Sequence, residues 1–280
     1  MKHLKSRLSW ILSILMVLCM IGILYSSSIL FIVNWEYAKG DDVYNKVRLN
    51  LKSPDLSYDQ STASLLTASE VSTEERQEEQ NKEVDFTSLE KINPDIAGWL
   101  SAEGTEIDYP VVHGKDNNFY LNHLFTGEPN KMGSIFMDYR NNSYFSDKNT
   151  IIYGHNMKNG SMFSSLTRYK DQRYYNKFPT MLLNTPYGDF TIELFAGIVV
   201  DGNYESVRAN FIDEHDFQRY IDLLKKRSTF ESNTLVKGDD RIITLCTCSY
   251  EFSNARYALF GKFTSNYKSE KSELRSIFKK

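Results

Sequence analysis

The pattern of hydrophobic and polar residues divides the chain into an apolar start, a polar interval and a domain rich in β-type runs. Residues 8–33 contain no charged side chain, a run longer than the roughly 20 apolar residues that cross a bilayer. Residues 34–83 are polar and poor in aromatic side chains after Tyr58, which predicts a stalk. A Ser-x-x-Glu capping box favours a helix over residues 73–82, although the charge-rich composition also permits disorder.

Short runs of β-branched and aromatic residues, separated by turn signals, predict a series of strands from about Val84 onward. A short helix precedes them, because Phe86, Leu89 and Ile92 recur at intervals of three before Asn93-Pro94 ends the pattern. The strand candidates are residues 99–112, 133–137, 150–153, 180–184, 190–200, 241–246 and 256–263.

One longer helix is predicted among the late strands. Asp213 can cap it, and Phe217, Ile221 and Leu224 recur at i, i+4 and i+7 on one face. Basic residues 225–227 occupy its last turn, which suits the helix dipole. Many short strands with few helices predict a mainly β fold and favour a closed barrel over a doubly wound sheet.

Basic residues at the start of the chain predict the orientation of the apolar segment. Lys2, Lys5 and Arg7 precede it, and the positive-inside rule keeps such residues in the cytoplasm. The sequence therefore predicts a single-pass anchor over residues 1–33, with the remaining domain extracellular. A cleaved signal peptide is the alternative, with a weak site at Ser26-Ser27-Ser28, but apolar residues 29–33 continue past that site.

Composition and charge narrow the functional classes. The 280 residues carry a formal net charge of −3, which suggests no nucleic-acid partner. The 3 cysteines do not form a disulfide framework, and Cys246-x-Cys248 with a distant histidine is not a zinc spacing. The sequence contains no phosphate-binding glycine loop. We therefore expect no metal and no cofactor.

The end of one predicted strand carries the strongest chemical signal. The chain reads Thr244-Leu245-Cys246-Thr247-Cys248, and Arg256 follows eight residues later, just before the next β-type run. Adjacent antiparallel strands would place the guanidinium beside a thiol, where it favours a thiolate and can stabilise an oxyanion. His155 follows a strand and offers an acid–base group. From the residues alone, His155 is as readily structural as catalytic, and buried thiols are the alternative for the cysteines.

Several segments resemble sortases, in chain order. The stretch Thr244-Leu245-Cys246-Thr247-Cys248 matches the T-L-x-T-C signature of that family, with Cys248 in its last place and Cys246 as an extra thiol. Arg256 stands where the family's arginine stands, and His155 in Tyr153-Gly154-His155 matches its catalytic histidine. The resemblance to class B sortases extends over about residues 84–263 and includes segments 92–100, 107–112, 133–138 and 213–227.

This resemblance implies an eight-stranded sortase-type β-barrel with N-terminal helices, as a catalytic domain over residues 84–267 before a charged tail at 268–280. It also implies a membrane-anchored cysteine transpeptidase of a Gram-positive cell surface. Such an enzyme cleaves a C-terminal sorting signal, similar to Asn-Pro-x-Thr in class B, after threonine and joins the protein to an amine of peptidoglycan. The implied partners are a secreted protein with that signal, the peptidoglycan precursor and the lipid bilayer.

The resemblance also assigns roles to single residues. Cys248 would form the thioacyl intermediate, His155 would transfer protons and Arg256 would bind the oxyanion. Substrate contacts are expected from residues that line the peptide groove or flank the nucleophile, with packing as their alternative role: Asn117, Leu121, Tyr153, Thr247 and Ser249.

Three alternatives to the cell-wall transpeptidase stay open. A sortase that polymerises pili would use a lysine amine of a pilin instead of peptidoglycan. A thiol peptidase would use the same three residues and release fragments by hydrolysis. A surface-binding barrel without catalytic activity would contain an ordinary, inert thiol at Cys248.

Overall fold

The computed structural model describes residues 2–51, 84–202 and 207–265. A long helix, α1 (Lys2–Leu51), comes first, and α2 (Phe86–Ile92) leads into the barrel. Asp85 caps α2 through a 3.1 Å hydrogen bond from the Ser88 amide to its carboxylate. The predicted helix over residues 73–82 and the tail at 268–280 lie outside the described residues.

Eight strands close into a barrel, which confirms the predicted fold class. The strands are β1 (Ile96–Ser101), β2 (Asp108–Val112), β3 (Ile135–Met137), β4 (Asn149–Tyr153), β5 (Thr180–Thr185), β6 (Gly188–Asp201), β7 (Ile242–Cys248) and β8 (Ala255–Ser265). Their order around the barrel is β1-β2-β3-β4-β7-β8-β6-β5, and β5 pairs with β1 to close it. The pairs β2–β3 and β4–β7 are parallel and the others are antiparallel.

Alternation along β7 divides its side chains between two hydrophobic cores. Ile243 and Leu245 belong to the large core inside the barrel, whereas Ile242 packs in a second cluster outside it. Because strand side chains alternate between faces, Thr244, Cys246 and Cys248 share the outer face with Ile242. The functional cysteine predicted from the sequence therefore lies outside the barrel core.

Helix α4 (Glu214–Arg227) covers this outer face and confirms the predicted late helix. The Asp213 side chain accepts a 2.7 Å hydrogen bond from the Asp216 amide and caps the helix. Phe217, Ile221 and Leu224 are buried in one cluster with Ile242 and Phe260. Each fully buried side chain of this size contributes about 1.5–3 kcal/mol, so the cluster anchors α4 firmly to β7 and β8.

The connection between β4 and β5 contains a 3-10 helix (Ser164–Lys170) and a short helix, α3 (Gln172–Lys177). A second 3-10 turn (Phe119–Leu121) lies between β2 and β3. None of these short helices is evident from hydrophobic periodicity.

Helix α1 differs along its length. Apolar side chains between Ile14 and Ile32 are exposed, whereas Tyr44 and Val47 are buried against the barrel. By length and composition, α1 is the one helix among the described residues that could cross a membrane. Residues 34–51, within the predicted stalk, are helical and form the end of α1 that docks on the barrel.

The docked end of α1 is held by polar and aromatic contacts. The Tyr44 hydroxyl donates a 2.7 Å hydrogen bond to the Gly133 carbonyl, and its ring meets Tyr109 edge-on at 5.3 Å. The Arg48 Nε donates to the Asp108 carbonyl at 2.8 Å. Tyr44 and Arg48 lie one helical turn apart, so both contact the barrel from one face of this largely polar segment.

Candidate active site

The predicted catalytic residues lie on, or directly after, three strands that are neighbours in the barrel: β4, β7 and β8. Cys248 at the end of β7 pairs directly with Arg256 in β8, and residues paired in this way point to the same face. On the other side of β7, Tyr153 at the end of β4 pairs with Cys246. Two neighbouring rows of paired residues therefore cross β7: one contains Tyr153, Cys246 and Ala258, and the next contains Cys248 and Arg256.

The chain continues along β7 beyond the end of β4. The Gly154 amide donates to the Cys246 carbonyl at 3.1 Å, and the Asn156 side chain donates to the Cys248 carbonyl at 2.9 Å. Extending the register by two residues beyond the Tyr153–Cys246 pair places His155 opposite Cys248. His155, Cys248 and Arg256 are each half-buried, so the row they form lies at the protein surface.

The close approach at Gly154 requires a residue without a side chain. A Cβ atom there would lie 2.5 Å from Ile135 Cδ1 and 2.7 Å from Phe163 Cδ2. Thr247 supports the same peptide, since its buried hydroxyl donates to the Gly154 carbonyl at 2.7 Å. Thr247 thus holds the backbone that presents His155, and its side chain does not face the outer row.

The His155 ring is oriented by the backbone of another predicted residue. Its Nε2 lies 2.7 Å from the Leu121 carbonyl. A carbonyl oxygen only accepts, so Nε2 carries the proton in this contact and Nδ1 is the ring's second nitrogen. Leu121 therefore contacts the candidate acid–base group through its main chain.

Asn117 and Tyr153 meet at one buried carboxylate, Asp138. The Tyr153 hydroxyl donates to Asp138 Oδ2 at 2.9 Å, and the Asn117 amide donates to the same oxygen at 3.1 Å. Arg140 adds two side-chain bonds of 2.9 Å each. The two predicted groove residues thus belong to one network, and Asp138 was not among the predicted site residues. Its sequence signal is an acidic residue directly after an apolar strand, with an arginine two positions on.

The electrostatics of the network keep Asp138 ionised. Burial alone would raise the pKa of its carboxyl group, but the hydrogen bonds from Arg140 and Tyr153 lower the pKa to about 2. Burial and the neighbouring carboxylate raise the pKa of Tyr153, so its hydroxyl remains a donor. The network therefore presents Asn117 and Tyr153 in fixed orientations.

The two cysteines of β7 differ in environment. Cys246 is buried, and burial raises the pKa of its thiol to about 12 despite the nearby Arg256 guanidinium. Cys248 is half-buried, and neither cysteine is in a disulfide. Because the thiolate is the nucleophile, the accessible Cys248 is the better candidate.

Ser249 is the first residue of the turn that joins β7 to β8, and Arg256 lies in β8 just after that turn. The Ser249 amide donates to the Ala255 carbonyl at 2.9 Å, which closes the turn. The Ser249 side chain is buried and bonds to Glu251. Arg256 Nη1 lies 3.4 Å from the Ala255 carbonyl, so the guanidinium is near the same turn.

Known proteins with similar sequences are sortases. The chain is 41% identical over 183 residues to sortase B of Listeria monocytogenes. The aligned region covers 65% of this chain and 74% of that relative. It is 39% identical over 168 residues to sortase B of Staphylococcus aureus. This aligned region covers 60% of the chain and 69% of the relative. No protein-family model matches the chain.

Solved structures agree with the sequence relatives. Sortase B of Clostridium perfringens superposes with a TM-score of 0.62 at 35% identity, over 65% of this chain and 100% of the other. A Staphylococcus aureus sortase B–substrate complex superposes with a TM-score of 0.69 at 30% identity, over 83% of this chain and 99% of the other. From its sequence relatives and its eight-stranded barrel, the chain belongs to the sortase B family.

Proposed function

We propose that the protein is a membrane-anchored cysteine transpeptidase that transfers a secreted protein from its C-terminal sorting signal to an amine of peptidoglycan. The observation that carries this proposal is the row formed by His155, Cys248 and Arg256 across three adjacent segments of the barrel. A thiol, an acid–base group and a fixed cation are the groups that acyl transfer through a thioester needs.

In the first half of the reaction, the Cys248 thiolate attacks the carbonyl carbon of the signal's threonine. The carbonyl oxygen becomes an oxyanion, and the Arg256 guanidinium hydrogen-bonds it. The carbon–nitrogen bond then breaks, and His155 as imidazolium gives a proton to the leaving amine. The products are a thioacyl enzyme and the released end of the signal.

In the second half, an acceptor amine attacks the thioester carbonyl. Neutral His155 takes a proton from the amine, and the sulfur of Cys248 leaves as thiolate. Because the Leu121 carbonyl contacts Nε2, we assign both proton transfers to Nδ1. The Leu121 contact holds the ring in one orientation through both halves.

Asn117 and Tyr153 are the proposed contacts for the sorting signal, in a groove that Asp138 supports from behind. A similar structure, a Staphylococcus aureus sortase B–substrate complex, supports a substrate site on this fold. The side chains of Thr247 and Ser249 are buried, so both residues act indirectly: Thr247 holds the Gly154 carbonyl, and Ser249 bonds to Glu251.

Helix α1 is the proposed anchor, with the N-terminus in the cytoplasm and the barrel extracellular. The exposed apolar side chains between Ile14 and Ile32 support it, as do the basic residues that precede them. An anchored enzyme would meet secreted proteins and lipid-linked wall precursors at one membrane face.

The test is ligation by the full-length protein in detergent micelles. An Asn-Pro-x-Thr peptide is supplied with or without triglycine, and products are identified by mass spectrometry. The proposal expects a ligated product that depends on triglycine and is lost in Cys248→Ala. Cleavage without ligation would indicate a hydrolytic peptidase, and no reaction with any sorting peptide would indicate a binding barrel. Preference for a pilin lysine peptide over triglycine would indicate a pilus polymerase.

A further inference from the structure

The turn between β7 and β8, residues 249–254, is attached to a distant part of the chain. Lys170 Nζ donates to Ser249 Oγ at 3.0 Å and forms an ion pair with Glu251. The Ser249 hydroxyl in turn bonds to the other oxygen of Glu251. The three side chains thus form a closed triangle, which we call the clasp.

Lys170 is well placed to hold this turn. It is the last residue of the 3-10 helix Ser164–Lys170, which belongs to the β4–β5 connection that contains His155. Its ammonium group also lies 5.3 Å from the centre of the Tyr257 ring, whose residue follows Arg256. The clasp therefore joins the segment after the histidine to the segment after the cysteine.

The clasp lies at the surface, and its buried member is Ser249, which contacts both charged side chains. The side chains of Lys170 and Glu251 are 32% and 37% exposed, and Ser249 is 5% exposed. Burial would raise the pKa of Glu251, but the hydrogen bonds from Lys170 and Ser249 lower it. Glu251 is thus a carboxylate at neutral pH, bound by both Lys170 and Ser249.

The position of the clasp matters because the turn is bounded by the two groups that must meet. Cys248 directly precedes the turn. Arg256 is the second residue after it, following Ala255. Within the turn, the Tyr250 hydroxyl lies 3.4 Å from the Asn156 carbonyl, next to His155. A shift of the turn would therefore move the guanidinium relative to both sulfur and imidazole.

We propose that Lys170, Ser249 and Glu251 are positioning residues that hold the β7–β8 turn so that Arg256 faces the oxyanion formed at Cys248. This inference rests on the proposed transpeptidase function. None of the three touches the reacting atoms. They fix the position of Arg256, the oxyanion donor. Their loss therefore lowers the rate of the chemical steps more than it weakens binding of the sorting signal.

The experiment compares Lys170→Met with the wild-type full-length protein in the peptide–triglycine ligation assay. A displacement of about 1 Å at a catalytic group can cost about a hundredfold in rate, so we expect kcat to fall about ten- to a hundredfold while KM stays nearly unchanged. Glu251→Gln keeps the size of the side chain and should give a similar loss. The charge exchange Lys170→Glu with Glu251→Lys should restore much of kcat, because the Ser249 hydroxyl can reverse its donor and acceptor roles.

Lys262→Met is the matched control. It removes the 2.9 Å ion pair with Asp240, which is also partly shielded and lies at the opposite end of β8. It should leave kcat unchanged, and melting temperatures of all variants report folding. Wild-type kcat in Lys170→Met, a rise in KM alone, or failure of the charge exchange to rescue would overturn the clasp. No ligation by a wild-type protein whose Cys248 still reacts with a methanethiosulfonate would overturn the proposed function itself and, with it, this role.

Discussion

The two ends of the β7–β8 pair use the same backbone pairing for different purposes. At one end, Ile242 and Phe260 are sealed under α4 in an apolar cluster. At the other, Cys248 faces Arg256 at the half-buried surface. Cys246 marks the boundary, because it is buried beside Ala258 and its thiol has a pKa raised to about 12. Burial, and not the kind of residue, thus distinguishes Cys246 from Cys248, the proposed nucleophile.

The largest expected effect comes from replacing Cys248 with alanine, compared with the same replacement at Cys246. Cys248→Ala should reduce ligation to background, because no other accessible thiol lies in the row. Cys246→Ala should retain most of the turnover, since a buried thiol with a raised pKa supplies little thiolate. Ligation is measured by mass spectrometry, with melting temperature as the control for folding. Equal loss in both variants would contradict the contrast between the two ends.

The next effect concerns the cation at the open end. Arg256→Lys keeps the charge but loses the planar fork, so kcat/KM should fall by about 10²–10³, as for removal of one oxyanion donor. Lys262→Arg on the same strand is the matched exchange at the sealed end and should leave kcat/KM unchanged. Near-normal turnover of Arg256→Lys would remove Arg256 from the oxyanion site.

A smaller effect is expected from the carboxylate behind the groove. The folded pKa of Asp138 is lowered to about 2 from 3.8, so its contribution to stability is present above about pH 4 and is lost as pH falls through 2. That contribution is about 2 kcal/mol, and Asp138→Asn should flatten the acid dependence of urea unfolding accordingly. The variant should also raise KM for the sorting peptide.

Asp216 provides the matched variant for this prediction. Its carboxylate is likewise bonded to an arginine, Arg208, but it lies on α4 at the sealed side of the pair. Asp216→Asn should lower stability and leave KM unchanged. If Asp138→Asn also left KM unchanged, the network would be structural and would not support the groove.

The smallest effect probes the sealed end itself. Ile242→Val removes one methyl group from the cluster under α4 and should cost about 1 kcal/mol in urea unfolding. Ligation kinetics should not change, because the packing is remote from Cys248. A loss of kcat without a loss of stability would show that the two ends are coupled.

The closed barrel and the pairing of Cys248 with Arg256 could be predicted from local patterns in the sequence, whereas the place of His155 in the site came from the resemblance to sortases. Alternation along β7 and the spacing of Phe217, Ile221 and Leu224 each place side chains on a known face. The motif residues Cys248 and Arg256 lie on consecutive strands, so their pairing follows from one tight turn. The spacing of residues within single elements, and between two consecutive strands, is therefore enough to predict the barrel and the pairing of Cys248 with Arg256.

The missed features depend on residues that are far apart in the chain. Lys170 and Glu251 are 81 residues apart, and neither stands in a motif. Docking of α1 rests on a short face around Tyr44 and Arg48 within a polar segment, which resembles a solvated linker in composition. Such contacts are set by tertiary packing, which periodicity and motif spacing do not encode.

Continuity of α1 has a mechanical consequence. The helix runs without a break from its exposed apolar half to the half that is bonded to Gly133 and Asp108. With α1 as the anchor, a continuous helix would fix both the distance of the barrel from the lipid and its rotation about the helix axis. Four residues inserted after Ile32 would lift the whole domain by about 6 Å and turn it by about 40°. Substrate access at the membrane would then be governed by helical phase as well as by distance.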